Sequence, residues 1–153
     1  MGVGKTTIGR KLAKVLGLPF VDSDTLITDE HGPIPAIFEE RGEAQFRQLE
    51  EKAMEKAISE AAVVATGGGA ILSAVTRRRL KDATVIYLST DGKHIASRLR
   101  HGNRPLIQNG VEDWRRIYAE RRPLYEETAD FEINTSGQPI SASIQEILKK
   151  LGK

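Results

Sequence analysis

A chain of 153 residues, 39% hydrophobic and 29% charged, carries enough material for one domain with a real core and lies far from disordered or collagen-like compositions. The absence of cysteine excludes disulfides, thiolate zinc sites and cysteine nucleophiles, and fits a reducing cytoplasm. A formal charge of +2, with acidic residues spread among the basic ones, excludes a nucleic-acid-binding profile; there is no run of about 18 apolar residues to cross a membrane and no signal-peptide core at the N-terminus.

The chain opens on Gly2-Val3-Gly4-Lys5-Thr6-Thr7. This reads as the back end of the phosphate-binding pattern G-x-x-x-x-G-K-[ST], in which glycine backbone N–H groups curl around a polyphosphate. The lysine reaches the β and γ phosphates, and the hydroxyl ligates Mg²⁺. Ile8, Leu12, Val15 and Leu16 follow on one helical face, so the loop runs into a helix whose positive end faces the phosphates. The first glycine of the pattern and the strand that feeds it would precede Met1. The bland alternative is a flexible glycine-rich start before an ordinary amphipathic helix.

Gly17-Leu18-Pro19 stops this helix, and Phe20-Val21 begins a short strand ending in Asp22-Ser23-Asp24. Ligands sit at the carboxyl ends of strands in open α/β sheets, so one carboxylate can hold Mg²⁺ through water and the other can accept a substrate proton. Helix capping by Ser23 or Asp24 is the competing explanation. Short helices are predicted over residues 24–31 and 34–41, and a long one from Glu43 to about Ala61 with Phe46, Leu49, Ala53 and Ala57 on one face. Arg47, beside Phe46, is expected to reach water rather than a pocket.

Ala62 to Thr66 is a buried strand, followed by Gly67-Gly68-Gly69, where a ligand or a neighbouring helix approaches the backbone closely. A helix over residues 73–80 carries Arg77, Arg78 and Arg79, expected in solvent. The next strand runs from Ala83 to Leu88, and a helix from Lys93 to Arg100. The glycine-bounded loop 101–110 holds Arg104 and has the length of a lid. A charged helix spans Val111 to Arg122 and ends or kinks at Pro123. Residues 131–134 form a last strand, and Ile140, Ile144, Ile147, Leu148 and Leu151 mark a final amphipathic helix. This alternation predicts an α/β fold, a parallel sheet with helices on both faces. His31, His94 and His101 share no metal-ligand spacing, and Trp114 and the tyrosines read as packing residues.

Taken as a set, Gly2 to Thr7, Phe20 to Asp24, Gly42-Glu43-Ala44-Gln45-Phe46-Arg47, Gly67 to Ala70, Arg104-Pro105-Leu106-Ile107 and Arg121-Arg122-Pro123-Leu124-Tyr125 resemble the shikimate kinases, small P-loop kinases of aromatic amino-acid biosynthesis. The resemblance spans nearly the whole chain. It implies a three-layer P-loop NTPase fold of the nucleoside-monophosphate-kinase type, whose central first strand is missing from this chain. It implies a single kinase domain over residues 1–153, with substrate-binding helices at about 24–61 and a lid at about 101–111. The expected natural start lies upstream of Met1.

The implied reaction is transfer of phosphate from ATP to the 3-hydroxyl of shikimate, with Mg²⁺. Gly2, Val3, Gly4, Lys5, Thr6 and Thr7 would hold the phosphates, with Lys5 on the β and γ groups and Thr6 and Asp22 on the metal. Asp24 would hold the shikimate hydroxyl and act as its base. Arg47 and Arg121 would clamp the carboxylate, since guanidinium forks pair bidentately with carboxylates. Gly67, Gly68 and Gly69 would lie beside the ring, with Phe38, Phe46 and Glu50 lining the pocket. Arg104 would close onto the ATP phosphates, while Arg98 or Arg100 and Gln138 would serve the adenine. The implied protein is a cytoplasmic monomer that binds neither nucleic acid nor membrane. A gluconate-type P-loop kinase and an inactive nucleotide-binding remnant are the rival readings.

Overall fold

The computed structural model describes residues 4–90 and 111–153. Its helices are α1 (Lys5–Leu16), α2 (Ser23–His31), α3 (Ile34–Ala57), α4 (Ala74–Leu80), α5 (Val111–Thr128) and α6 (Ile140–Lys150). The strands are β1 (Phe20–Asp22), β2 (Val63–Ala65), β3 (Ile86–Ser89) and β4 (Phe131–Asn134), and a 3₁₀ turn covers Ala70–Leu72.

All strand pairing among the described residues is parallel, as the alternating pattern predicts. β1 pairs with β2, Phe20 opposite Val63 and Asp22 opposite Ala65. β3 pairs with β4, Ile86 opposite Phe131 and Ser89 opposite Asn134. The expected sheet is thus in two pieces, separated by a cavity of about 600 Å³ whose walls include Val63, Val64, Ile86 and Leu88, with Ile8 and Leu12 of α1 beside them. Lys5, Gly67 and Gly68 lie at the same cavity.

Ile8 and Leu12 of α1 join Ile133 of β4 and Ile144 and Ile147 of α6 in one buried cluster. Burial of such a side chain contributes about 1.5–3 kcal/mol. Val15, expected on that face, is 60% exposed, because the face narrows to the Ile8–Leu12 stripe. A second cluster unites Ile27 of α2 with Ile37, Phe46 and Ala53 of α3. It sets α2 and α3 against each other.

Several boundaries differ from the sequence reading. The two helices expected on either side of Gly42 are both present within α3, which breaks at the non-helical Gly42 (φ 80°, ψ 169°), but the second ends at Ala57 rather than near Ala61. β3 begins at Ile86, three residues later than expected, because the backbone at Val85 is held from the side: its N–H donates to the Asp130 carboxylate at 2.6 Å.

Pro123 does not end α5, which continues to Thr128. The proline removes one helix hydrogen bond, but the next turn is secured from within the helix and from outside it. Arg122 and Glu126 pair across it at 2.8 Å, and the Tyr125 ring lies 5.2 Å from that of Tyr87. Arg121 and Arg122 therefore stand in the body of the helix. The triple arginine also departs from expectation: Arg77 donates to the carbonyls of Ile71 and Leu72 at 2.7 and 3.1 Å, and Arg79 pairs with Glu55 at 3.4 Å. Arg78 alone of the three is exposed.

Candidate active site

Helix α1 starts at Lys5, directly after Gly4, whose φ of 78° is the left-handed conformation that favours glycine. No side chain caps this helix start. Its first N–H groups are oriented for an anion, and Lys5 stands among them. The Thr6 hydroxyl donates to the Asp22 carboxylate at 3.2 Å, linking the start of α1 to the end of β1. The other Asp22 oxygen accepts from the Asp24 N–H at 2.9 Å and caps α2. For Asp22, capping α2 and contact with the start of α1 are therefore not alternatives. The cap is Asp22, rather than Ser23 or Asp24, and its second oxygen stays directed at Thr6.

Arg47 does not reach into water. Its guanidinium pairs with Glu50 at 2.7 Å and with Glu43 at 3.3 Å, and lies 5.2 Å over the Phe46 ring. It packs so closely on Gly69 that a Cβ there would sit 2.6 Å from the arginine Cζ. At Gly67 a Cβ would lie 2.8 Å from an Asp24 oxygen and 2.9 Å from a Glu50 oxygen. The glycine run thus admits two carboxylates and a guanidinium to its backbone, which larger residues would displace. Phe38 and Phe46 stack with centroids 4.8 Å apart beside this group.

Arg121 is 6% exposed, and its charge, like that of Arg47, draws down the pKa of Glu50. Two guanidiniums and two carboxylates therefore converge around Gly67 to Gly69. Burial nevertheless dominates at Glu50 and holds its pKa above the ordinary value, against the opposing pull of Arg47.

A family model described as shikimate kinase matches residues 1–152. A shikimate kinase of Nitrosococcus oceani is 45% identical, the match covering 99% of this chain and 83% of the relative. The shikimate kinase of Thiobacillus denitrificans is 41% identical, over 99% of this chain and 86% of its own length. The chain belongs to the shikimate kinase family. Among solved structures, shikimate kinase from Acinetobacter baumannii in complex with shikimate superposes with a TM-score of 0.93 at 41% identity, covering 99% of this chain and 88% of that one. Shikimate kinase from Bacteroides thetaiotaomicron gives a TM-score of 0.89 at 29% identity, over 100% of this chain and 94% of that one. The fold is accordingly the P-loop NTPase fold, and the activity is that of the family, a kinase that uses ATP to phosphorylate shikimate.

Of the residues singled out in the sequence, Gly4, Lys5, Thr6 and Thr7 stand at the start of α1, while Asp24, Arg47 and Glu50 gather at Gly67 and Gly69, with Arg121 near enough to act on Glu50. Gly2, Val3, Arg98, Arg100, Arg104, His94, His101 and the expected lid and 93–100 helix lie outside the described residues. Gln138 uses its side-chain amide to donate to the Asn134 carbonyl at 2.6 Å, closing the turn before α6. Among the described residues no three histidine, aspartate or glutamate side chains group as a metal site, and no helix is long and apolar enough to cross a membrane.

Two residues escaped the sequence reading. The Ser23 hydroxyl accepts from the Gly67 N–H at 3.0 Å, and the Tyr125 hydroxyl donates to the Gly68 carbonyl at 2.6 Å. Tyr125 had a signal: it follows Arg121 by four residues and so shares its helical face. Ser23 had none beyond its place between the two acids. Trp114, Tyr87, Tyr118 and Tyr125 otherwise pack together as expected of aromatic residues.

Glu50 also gives a pH prediction. A carboxyl whose pKa is raised on folding holds its proton more tightly in the folded chain, so its contribution to stability is fully present below pH 4.5 and is lost as pH rises through the folded value. Glu50→Gln keeps the shape without the ionisation and is expected to flatten that limb of a plot of Tm against pH. Equal slopes in the two proteins would contradict the burial of an ionising Glu50.

Proposed function

We propose that this chain phosphorylates the 3-hydroxyl of shikimate with Lys5, Asp24, Arg47 and Arg121 as its principal working side chains. The observation that supports it most is the convergence of Asp24, Arg47 and Glu50 on the backbone of Gly67 to Gly69. Together with buried Arg121, it offers a compact polar ligand both a base and a carboxylate clamp.

Phosphoryl transfer needs little covalent work from a protein, so its rate rests on alignment and on stabilising charge. The guanidiniums of Arg47 and Arg121 hold the carboxylate of shikimate, remote from the reacting oxygen. Arg47 is itself oriented by Glu43 and Glu50. Phe38 and Phe46 form an apolar wall, and the 67–69 backbone approaches the ring from the other side. So held, the 3-hydroxyl meets Asp24, which takes its proton as the oxygen attacks the γ-phosphorus. Lys5 and the N–H groups at the start of α1 take up charge on the phosphoryl oxygens; the resemblance assigns Gly2, Val3 and Arg104, outside the described residues, to the same phosphates.

Thr6 and Asp22 suit Mg²⁺: a hydroxyl and a carboxylate oxygen lie 3.2 Å apart at the phosphate end, hard oxygen donors of the kind this ion takes. Bound there, Mg²⁺ would neutralise β- and γ-phosphate charge. The adenine would fall near Gln138 and the Arg98 to Arg100 stretch. One chain carries every residue named, which supports a monomeric kinase domain over residues 1–153; a cytoplasmic location, without a nucleic-acid or membrane partner, belongs to the same proposal.

A substrate panel read by ADP release tests this. Shikimate is expected to support turnover and gluconate to support none; turnover of gluconate but not shikimate would reverse the reading.

A further inference from the structure

Two hydroxyls tether the 67–69 loop from opposite sides. Ser23, fully buried, accepts from the Gly67 N–H at 3.0 Å, and Tyr125 donates to the Gly68 carbonyl at 2.6 Å. The carbonyls of Gly67 and Gly69 are occupied within the loop, by the N–H groups of Ala70 and Leu72 at 3.0 Å each. A run of glycines has more backbone freedom than any other sequence, so untethered N–H groups would sample many directions. Each tether comes from an element that also carries a substrate-side group. Ser23 separates Asp22 from Asp24, and Tyr125 stands one helical turn beyond Arg121.

We propose that Tyr125 and Ser23 are positioning residues for shikimate, fixing the 67–69 backbone relative to Asp24 and Arg121 so that base, clamp and loop keep one geometry. The inference rests on the substrate-side assignment made above. It concerns hydroxyl groups rather than packing. The Tyr125 ring lies 5.2 Å from Tyr87 and 6.3 Å from Tyr118, centroid to centroid, and those contacts survive loss of its oxygen.

Steady-state kinetics of Tyr125→Phe test the proposal. Loss of one such hydrogen bond is expected to raise the shikimate KM by about two- to tenfold, with kcat and the ATP KM held within about twofold. Tyr118→Phe is the control. Its hydroxyl bonds Tyr87 in the same aromatic cluster, not the loop, and its shikimate KM should equal that of the wild type. Ser23→Ala is expected to move the shikimate KM in the same direction as Tyr125→Phe. An unchanged KM in Tyr125→Phe, or an equal rise in Tyr118→Phe, overturns the tether; an unchanged KM in a folded Ser23→Ala removes Ser23 from it. Should Ser23→Ala, which strands a buried N–H, prove too unstable to purify, Tyr125→Phe with its control decides the matter. If Arg121→Ala also left the shikimate KM unchanged, the substrate-side assignment itself would fail, so the two failures are distinguishable.

Discussion

Lys5→Ala is expected to lower kcat by about 10²–10³-fold or more, the usual effect of removing one preorganised group that stabilises transition-state charge. Lys5 is the first residue of α1, beside N–H groups that no side chain caps. Among the described residues the ion pairs of Arg47 go to Glu43 and Glu50 and do not involve Lys5, so shikimate affinity, measured by calorimetry without nucleotide, should stay within about threefold of the wild type. Near-normal turnover by Lys5→Ala would remove the phosphate-loop assignment. A large loss of shikimate affinity would mean that the two halves of the site are not separate.

Arg121→Ala should act in the opposite way, through KM. Charge-assisted hydrogen bonds contribute about 1.5–3 kcal/mol each, so the shikimate KM is expected to rise by about 10–100-fold with a smaller effect on kcat. Arg121 is buried, and its charge helps offset the desolvation of Glu50. Some loss of stability should therefore accompany the change. Arg121→Lys separates the two effects: it keeps the charge near Glu50 but cannot form a planar fork. It is expected to recover most of the lost Tm and little of the lost affinity. Recovery of both would favour a simple point-charge role, and an unchanged KM in Arg121→Ala would place the carboxylate elsewhere.

The alternation of helices and strands was legible because each element carries its own period or its own breaker. Ile8 and Leu12 mark α1, Val63 to Ala65 mark β2, and Ile144 and Ile147 mark α6. Context that acts across the chain was not legible. The Arg122–Glu126 spacing around Pro123 is compatible with a continuing helix, but the contacts that fix its last turn against the rest of the chain come from Tyr87 and from Gly68, far away in sequence. Arg47 was expected in solvent for the same reason. Its partner Glu50 is one helical turn away and visible, but the glycine backbone that receives it lies on another element. Composition and spacing likewise could not divide the work of Asp22 between capping and Thr6, because one carboxylate does both. The resemblance implied a sheet lacking its central first strand, and the described strands form two parallel pairs with a largely apolar cavity lined by both.

The position of the transferred phosphate tests the account most directly. After turnover with ATP, Mg²⁺ and shikimate, phosphorus-proton correlation NMR of the product should place the new ester on the 3-oxygen, with one ADP formed per ester. That is the outcome of a carboxylate held by Arg47 and Arg121 and a hydroxyl held by Asp24. An ester on another hydroxyl, or ADP released with only inorganic phosphate, would contradict it.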